Sequence, residues 1–441
     1  MPFPGLRKRH AGMAMVRQNP GSYSRGMDSD MDSDALASSP PPARALFAHR
    51  SFTLFFCGRG LSSFAYQIAA VAIGWQVYTM THSAFDLGLI GLMQFLPVAG
   101  LTFFAGHAAD RYERRLVVQI CQATEAAVAA FFACGVFMHW LTVPEIFGAV
   151  MVMGASRAFE SPAMSALLPG VAPTGMLQKA TAITSSVFQM ATIIGPALGG
   201  IVYAISPGAP YVIMALGWGI SALLMAFIKV DRPVVPKEPP NFKDLFAGVA
   251  FVRHNPAILG TISLDLFAVL LGGATALLPI YARDILHTGP WGLGVLRGAP
   301  AVGALLTSVI MARYPLTRRT GRFMFEAVIL FGIATIVFGL SRSVILSLVA
   351  LAVMGAADMV SVVIRLSLVQ LRTPDEMRGR VGAVNFLFIN ASNQLGEFES
   401  GFTAALFGAV PAVVLGGIGT VAVALLWMRL LPTLRDVERL E

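Results

Sequence analysis

Long runs of apolar residues alternate with short polar segments along most of the chain. From Phe52 onward, each run is close to the length of about 20 residues that an α-helix needs to cross a bilayer. A lipid-exposed segment must satisfy its own backbone hydrogen bonds, so runs of this length predict transmembrane helices. We predict 12 transmembrane helices, at about residues 52–79, 84–106, 116–138, 144–167, 178–205, 210–229, 256–280, 290–312, 323–341, 344–370, 378–406 and 409–430.

The composition agrees with this pattern. The chain has 441 residues, of which 56% are hydrophobic and 13% are charged. A soluble domain of this size could not hide so much apolar surface, so the fold class is an all-α polytopic membrane protein. The net charge of +8 does not indicate a nucleic-acid partner, because the basic residues are spread over short loops between apolar runs.

Basic residues are distributed unevenly between the two sides of the predicted helices. Loops after even-numbered helices contain most of them, whereas loops after odd-numbered helices contain chiefly Arg283 and Arg342. Positively charged loops stay on the cytoplasmic side. We therefore expect a multi-pass protein of the inner (plasma) membrane with both termini in the cytoplasm.

Polar segments divide the chain into five parts. We predict a disordered cytoplasmic tail at 1–48, a six-helix bundle at 49–230, a linker with an amphipathic helix at 231–255, a second six-helix bundle at 256–430 and a cytoplasmic tail at 431–441. Tandem Met-Asp-Ser-Asp segments at Met27 and Met31 suggest that translation could start at either methionine.

Met153-Gly154-Ala155 recurs as Met354-Gly355-Ala356, which indicates two pseudo-symmetric halves with a substrate site between them.

The loop after the second predicted helix contains one acid and three arginines, in the segment from Gly106 through Asp110 and Arg111 to Arg114 and Arg115. This Gly-x-x-x-Asp-Arg-x-x-Arg-Arg pattern resembles the signature of the major facilitator superfamily of transporters. We expect this loop to act as a conformational switch in which Asp110 caps the start of the eleventh helix, near Met377 to Arg380, and stabilises the outward-open state. The alternative is an ordinary positively charged cytoplasmic loop with a chance acid.

A second motif lies in the fifth predicted helix, at Gly195, Pro196, Gly199 and Gly200. It resembles the Gly-x-x-x-Gly-Pro-x-x-Gly-Gly element of antiporters in that superfamily, although Ala191 replaces the first glycine. The resemblance implies export. The alternative is a general packing surface of small residues.

Ionisable residues inside membrane helices cost about 2.5 to 3.5 kcal/mol each on insertion scales, so they indicate function. The predicted helices contain Arg59, Glu125, Arg157, Glu160, Asp265, Arg297, Asp358, Arg365, Glu397 and Glu399. Arg157 with Glu160, and Asp358 with Arg365, share helix faces by their spacing and form a candidate charge network.

We favour Asp265, Glu397 and Glu399 for proton coupling, because a carboxyl group in a low-dielectric environment can bind and release a proton near neutral pH. Glu397 and Glu399 are two residues apart and must point in different directions. The alternative is that Arg365 neutralises one of these acids in a static buried pair.

No motif indicates an enzyme. The sequence contains no P-loop, no His-Glu-x-x-His and no Gly-x-Ser-x-Gly, and its three cysteines, Cys57, Cys121 and Cys134, lack paired spacing. We therefore expect no catalytic residues, no cofactor and no metal.

Several segments resemble the branch that contains the enterobactin exporter and related secretion effectors. They are Gly154 to Pro162, Ser263 to Pro279, Pro374 to Val381 and Asn393 to Gly401. The resemblance implies efflux of a siderophore or another small amphiphile by proton antiport with alternating access. The partners would be a small-molecule substrate, protons and the lipid bilayer, and we expect a monomer. The alternatives are a broad-specificity macrolide or multidrug pump and a membrane scaffold without transport.

Overall fold

The computed structural model describes residues 44–230, 242–314, 319–374 and 377–435, with the backbone alone at 103, 106–110, 242–246, 383, 386 and 433. All of these residues belong to one unit, 43–441. The possible start sites Met27 and Met31, and most of the predicted N-terminal tail, lie outside the described residues.

Seven helices make up the first part of the chain. They are α1 (Arg44–Ala48), α2 (Arg50–Thr81), α3 (Ala84–Arg111), α4 (Arg114–Phe137), α5 (Val143–Val171), α6 (Leu177–Ile205) and α7 (Ala209–Ala226). The short helix α1 differs from the prediction of a disordered tail up to residue 48. It forms because Leu46 is buried against Phe52, Met176 and Ala180.

The second part begins with α8 (Phe242–His254), which packs against α14. The following helices are α9 (Pro256–Leu271), α10 (Leu278–Ile280), α11 (Gly289–Arg313), α12 (Thr320–Leu340), α13 (Val344–Arg372), α14 (Arg378–Phe407), α15 (Ala409–Leu430) and α16 (Pro432–Arg435). Below, "first half" means α1–α7 and "second half" means α8–α16.

Nine helical segments of the described chain are long and apolar enough to cross a membrane. Helices α2, α5 and α14 have 32, 29 and 30 residues but are not among the nine. Polar and charged residues of these three helices build much of the candidate site described below. The protein is thus all-helical within the described residues.

The seventh predicted membrane helix is interrupted. Helix α9 ends before Gly272, and a 3-10 turn (Ala274–Leu277), α10 and a π-helical turn (Tyr281–Ile285) follow. A Cβ at Gly273 would collide with the backbone of Gly396 on α14, so the close approach of α14 requires glycine there. The apolar pattern alone did not reveal this break.

The buried core is arranged differently at the two ends of the molecule. One large cluster joins both halves and includes Val71, Tyr78, Leu293 and Ala404. It lies at the end where α2 is followed by α3 and where α6 is followed by α7, which we call the closed end. At the opposite end, called the open end, the described residues form four separate clusters, each confined to one half.

Close helix crossings seal the closed end. Helix α3 packs on α14 and α6 packs on α11. A Cβ at Gly294 would overlap the Pro196 carbonyl oxygen, and one at Gly401 would lie 2.5 Å from Gly88 Cα. Only glycine allows backbones to approach this closely, so the two halves are held together by direct backbone contact.

Candidate functional site

A buried hydrogen-bond network in the first half is centred on Glu160 of α5, which is 2% exposed. Its Oε1 accepts hydrogen bonds from Ser62 Oγ and Gln122 Nε2, both at 3.0 Å. Its Oε2 lies 3.4 Å from Arg157 Nη1. A buried carboxylate requires such compensation, so Glu160 ties α2, α4 and α5 together.

The network continues to α7 and to an aromatic ring. Ser221 Oγ lies 2.8 Å from Gln122 Oε1. The guanidinium of Arg157 stacks on the ring of Tyr66, with its Cζ 4.1 Å from the ring centroid. This stacking fixes the orientation of Arg157 while leaving donor groups at the edge of the guanidinium.

A second charged group lies inside the second half. Arg365 on α13 pairs with Asp265 on α9, and the two side chains are 3% and 9% exposed. Asp358, two turns before Arg365 on α13, lines a small cavity together with Asp265 and Ser361. The structure therefore gives Arg365 a partner from another helix, rather than the acid on its own helix face.

Glu397 and Glu399 point to different surroundings. A Cβ at Gly91 of α3 would lie 2.9 Å from Glu397 Cβ and 3.1 Å from its Oε2, so Glu397 faces the first half. The cation that acts on it electrostatically is Arg297 of α11. Glu399 instead accepts a hydrogen bond of 2.8 Å from Thr403 Oγ1 on its own helix.

The three proton-coupling candidates therefore do not form one cluster. Asp265 lies within the second half, Glu397 at the contact between the halves, and Glu399 beside Thr403. Sequence reasoning missed Ser62, Gln122 and Ser221 as members of the Glu160 network. Their signal was a polar residue within an apolar run, which is too common to identify a partner.

The arginines after α3 bind backbone carbonyl groups near helix ends. Arg114 Nη1 donates to the Ala166 carbonyl at 3.1 Å, near the end of α5. Arg115 Nη1 donates to the Ala226 and Ile228 carbonyls at 3.2 and 3.0 Å, at the end of α7. A cation at a helix C-terminus is favourable, so this loop braces the first half. Arg111 is exposed, whereas the surroundings of Gly106 and the side chain of Asp110 lie outside what the structure describes.

The small-residue motif of α6 packs on two helices. Cβ atoms at Gly195 and Gly199 would lie 2.7 Å from Gln67 Cβ and 3.1 Å from Ile68 Cα, both on α2. Gly200 and Pro196 face α11, where the Gly200 position meets the Pro290 carbonyl. The motif thus lies at the joint between α2, α6 and α11.

One polar contact crosses between the halves at the closed end. The hydroxyl of Tyr78 on α2 donates a hydrogen bond to the Asp284 carboxylate in the π-helical turn. Arg283 lies 5.8 Å from the centroid of the Tyr78 ring. Neither Tyr78 nor Asp284 was a sequence-based candidate, because each lies at the end of an apolar run where polar residues are expected.

A family comparison covers nearly the whole chain. A sequence model of the transmembrane secretion effector family matches residues 42–440. The chain is 28% identical over 397 residues to the enterobactin exporter EntS of Citrobacter koseri, covering 88% of this chain and 94% of that protein. It is 27% identical over 401 residues to the enterobactin exporter EntS of Escherichia coli, covering 89% and 95%.

Solved transporters share the fold. A bacterial homologue of the human lysosomal transporter Spinster, in an inward-facing and unoccupied conformation, has a TM-score of 0.68 at 14% identity and covers 90% of this chain and 97% of its own. The nucleoside transporter NupG has a TM-score of 0.66 at 13% identity, covering 86% and 98%. At these identities the likeness shows the fold alone.

Proposed function

The chain belongs to the transmembrane secretion effector family of the major facilitator superfamily, and from this premise we propose that it exports a small amphiphilic molecule by proton antiport with alternating access. It is a multi-pass membrane transporter. The substrate we favour is siderophore-like, because the curated relatives described above are enterobactin exporters. In this proposal α2, α5 and α14 also cross the membrane, which makes 12 helices in two six-helix bundles.

The observation that carries the proposal is the unequal core. A single cluster joins the halves at the closed end, whereas the clusters of the open end each stay within one half. Few contacts between the halves oppose their movement at the open end. If the halves rock about the central site, the open end closes while the closed end opens. The arginine-rich loop after α3 is at the open end, and the positive-inside rule therefore supports a cytoplasmic position for this opening.

Protons supply the energy in this scheme. Each proton that moves inward releases about 2.3 kcal/mol per 100 mV of membrane potential. We assign proton binding to Asp265, Glu397 and Glu399, and static support of the first half to Glu160. Asp110 would stabilise the state opposite to the present one by capping the start of α14.

Transport in proteoliposomes tests the proposal. Vesicles with an acidic lumen are given enterobactin or a macrolide outside, and uptake is followed before and after a protonophore is added. We expect accumulation that needs the pH gradient and is lost with the protonophore. Accumulation of the macrolide but not of enterobactin would favour a multidrug pump. No movement of either solute in either direction of the gradient would contradict the export function.

A further inference from the structure

A cavity in the first half lies between three helices, on the open-end side of the shared core. The cavity is lined by residues of α2 (Arg59, Ser62 and Ser63), of α5 (Arg157, Glu160, Ser161, Met164 and Ser165) and of α6 (Phe188). On α2 the shared core begins at Ala65, so the cavity is adjacent to it and on the side where the halves are apart.

The charges on the cavity wall do not balance. Glu160 is occupied by Ser62, Gln122 and Arg157, as described above. The other charged side chain on this wall is Arg59, whose electrostatic neighbours are the like-charged Arg157 and the already occupied Glu160. Within the described residues, Arg59 forms no hydrogen bond or ion pair.

A second acid, Glu125, lies behind this wall rather than on it. It is 1% exposed, and its Oε2 has no hydrogen-bond partner among the described atoms. The lining of the cavity itself therefore contains two guanidinium groups and one carboxylate.

Donor groups of the cavity are still available. The side chain of Arg157 is 35% exposed, and among the described residues its one polar contact is that of 3.4 Å with Glu160, although a guanidinium carries five N–H donors. In the described part of the chain, the hydroxyls of Ser63 and Ser161 have no hydrogen-bond partner. Guanidinium and hydroxyl donors around one space are the groups that bind oxyanions such as carboxylate, sulfonate or phosphate.

The cavity also offers apolar surface next to these donors. Phe188 is 39% exposed, and Met164 lines the wall between Arg157 and Ser165. We propose that this cavity binds the oxyanion group of an amphiphilic molecule, with Arg59 and Arg157 as its charged ligands and Phe188 against its apolar part. The inference rests on the proposed export function and names the substrate class, an anionic amphiphile.

Binding of a matched pair of probes tests the site. Isothermal titration of the full chain in a neutral detergent, with protein-free micelles as the reference, compares 1-naphthalenesulfonate with the uncharged 1-naphthalenemethanol. We expect saturable binding of the sulfonate and weaker binding of the alcohol. Arg59→Gln should weaken sulfonate binding by about tenfold or more, the loss expected for one charge-assisted hydrogen bond.

Control variants separate charge from folding. Arg59→Lys keeps the charge and should bind more tightly than Arg59→Gln, whereas Arg342→Gln, in an exposed loop at the closed end, should leave binding unchanged. Arg157→Gln should also weaken binding, and each variant must keep the unfolding temperature of the parent protein. Equal sulfonate affinity in the parent and Arg59→Gln, or equal affinity for both probes, would overturn the proposal.

A competition experiment with an anionic lipid distinguishes two sources of the bound anion, a transported molecule and a lipid headgroup. Phosphatidylglycerol is added to the micelles at low mole fraction and should not displace the sulfonate. Displacement would assign the site to a lipid headgroup and would overturn its place in export. Binding is measured without a gradient, so an absence of sulfonate binding would not count against proton-driven transport. Conversely, an absence of transport would not count against sulfonate binding that has been measured.

Discussion

The guanidinium of Arg365 on α13 is paired with the carboxylate of Asp265 on α9, and both side chains are almost fully buried. The Nε of Arg365 has no hydrogen-bond partner among the described atoms, so Asp265 is its main compensation there. The pair therefore combines two roles that can be separated by experiment. It joins α9 to α13, and it holds a carboxylate that could exchange a proton.

Neutralising only the acid should destabilise the protein. Asp265→Asn leaves a buried cation without its partner, which costs about 3 to 5 kcal/mol in comparable buried pairs. We expect a clear fall in the unfolding temperature in detergent. The double variant Asp265→Asn with Arg365→Gln removes both charges and should recover most of that loss.

Proton-driven transport by the same double variant tests the coupling role. If Asp265 carries protons, the double variant is stable but no longer accumulates cargo in an acidic lumen. A stable double variant with parental accumulation would reduce the pair to a structural one.

Glu397 and Glu399 should differ in their effect on coupling. Glu397 lies against Gly91 of the opposite half, so its surroundings change when the halves move, whereas Glu399 is bonded to Thr403 on its own helix. Glu397→Gln should lower pH-driven uptake by about tenfold or more while gradient-free exchange of cargo persists. Glu399→Gln is the matched variant and should lower uptake less than Glu397→Gln does. A larger loss in Glu399→Gln would reverse the assignment.

Glycine at position 294 should be needed for the close crossing of α6 and α11, and this crossing should favour the state in which the closed end is sealed. A Cβ there would overlap the Pro196 carbonyl oxygen and lie 2.9 Å from Ala197 Cα. We therefore expect Gly294→Ala to loosen the closed end and bring the open end together. Spin labels at Leu177 and Arg313, on exposed open-end positions of these two helices, should show a shorter distance in a cysteine-free background.

Gly148→Ala provides the control for that measurement. A Cβ at Gly148 meets no atom within 4 Å, so the label distance should stay at its parental value. An unchanged distance in Gly294→Ala would show that the crossing does not determine which end is open.

The hydrogen bond from Tyr78 to Asp284 should stabilise the closed end. Tyr78→Phe removes one donor to a carboxylate, a bond worth about 1.5 to 3 kcal/mol, and should shift the population of states by about tenfold or more. The same label pair reports the shift. Tyr314→Phe, at an exposed position of the open end, should have no effect. Equal changes of the label distance in Tyr78→Phe and Tyr314→Phe would show that the hydrogen bond from Tyr78 to Asp284 does not specifically stabilise the closed end.

Sequence alone determined the class of the protein and the approximate ends of its long helices, because each apolar run must be long enough to cross a bilayer whatever it packs against. It also determined the spacing of Arg157 and Glu160, since three residues on one helix bring two side chains to the same face. The family motifs around Asp110 and Gly195 indicated a transporter because each motif is a short stretch of neighbouring residues that is recognisable without knowledge of the fold.

Only the tertiary structure decided which buried charges meet. Asp265 and Arg365 are on different helices, and their pairing depends on how α9 and α13 pack, which no periodicity encodes. The same holds for the network around Glu160, for the break at Gly273 and for the contact of Glu397 with Gly91. Hydrophobic pattern specifies which residues leave water, whereas the partner of each buried polar group depends on the three-dimensional arrangement of helices far apart in sequence.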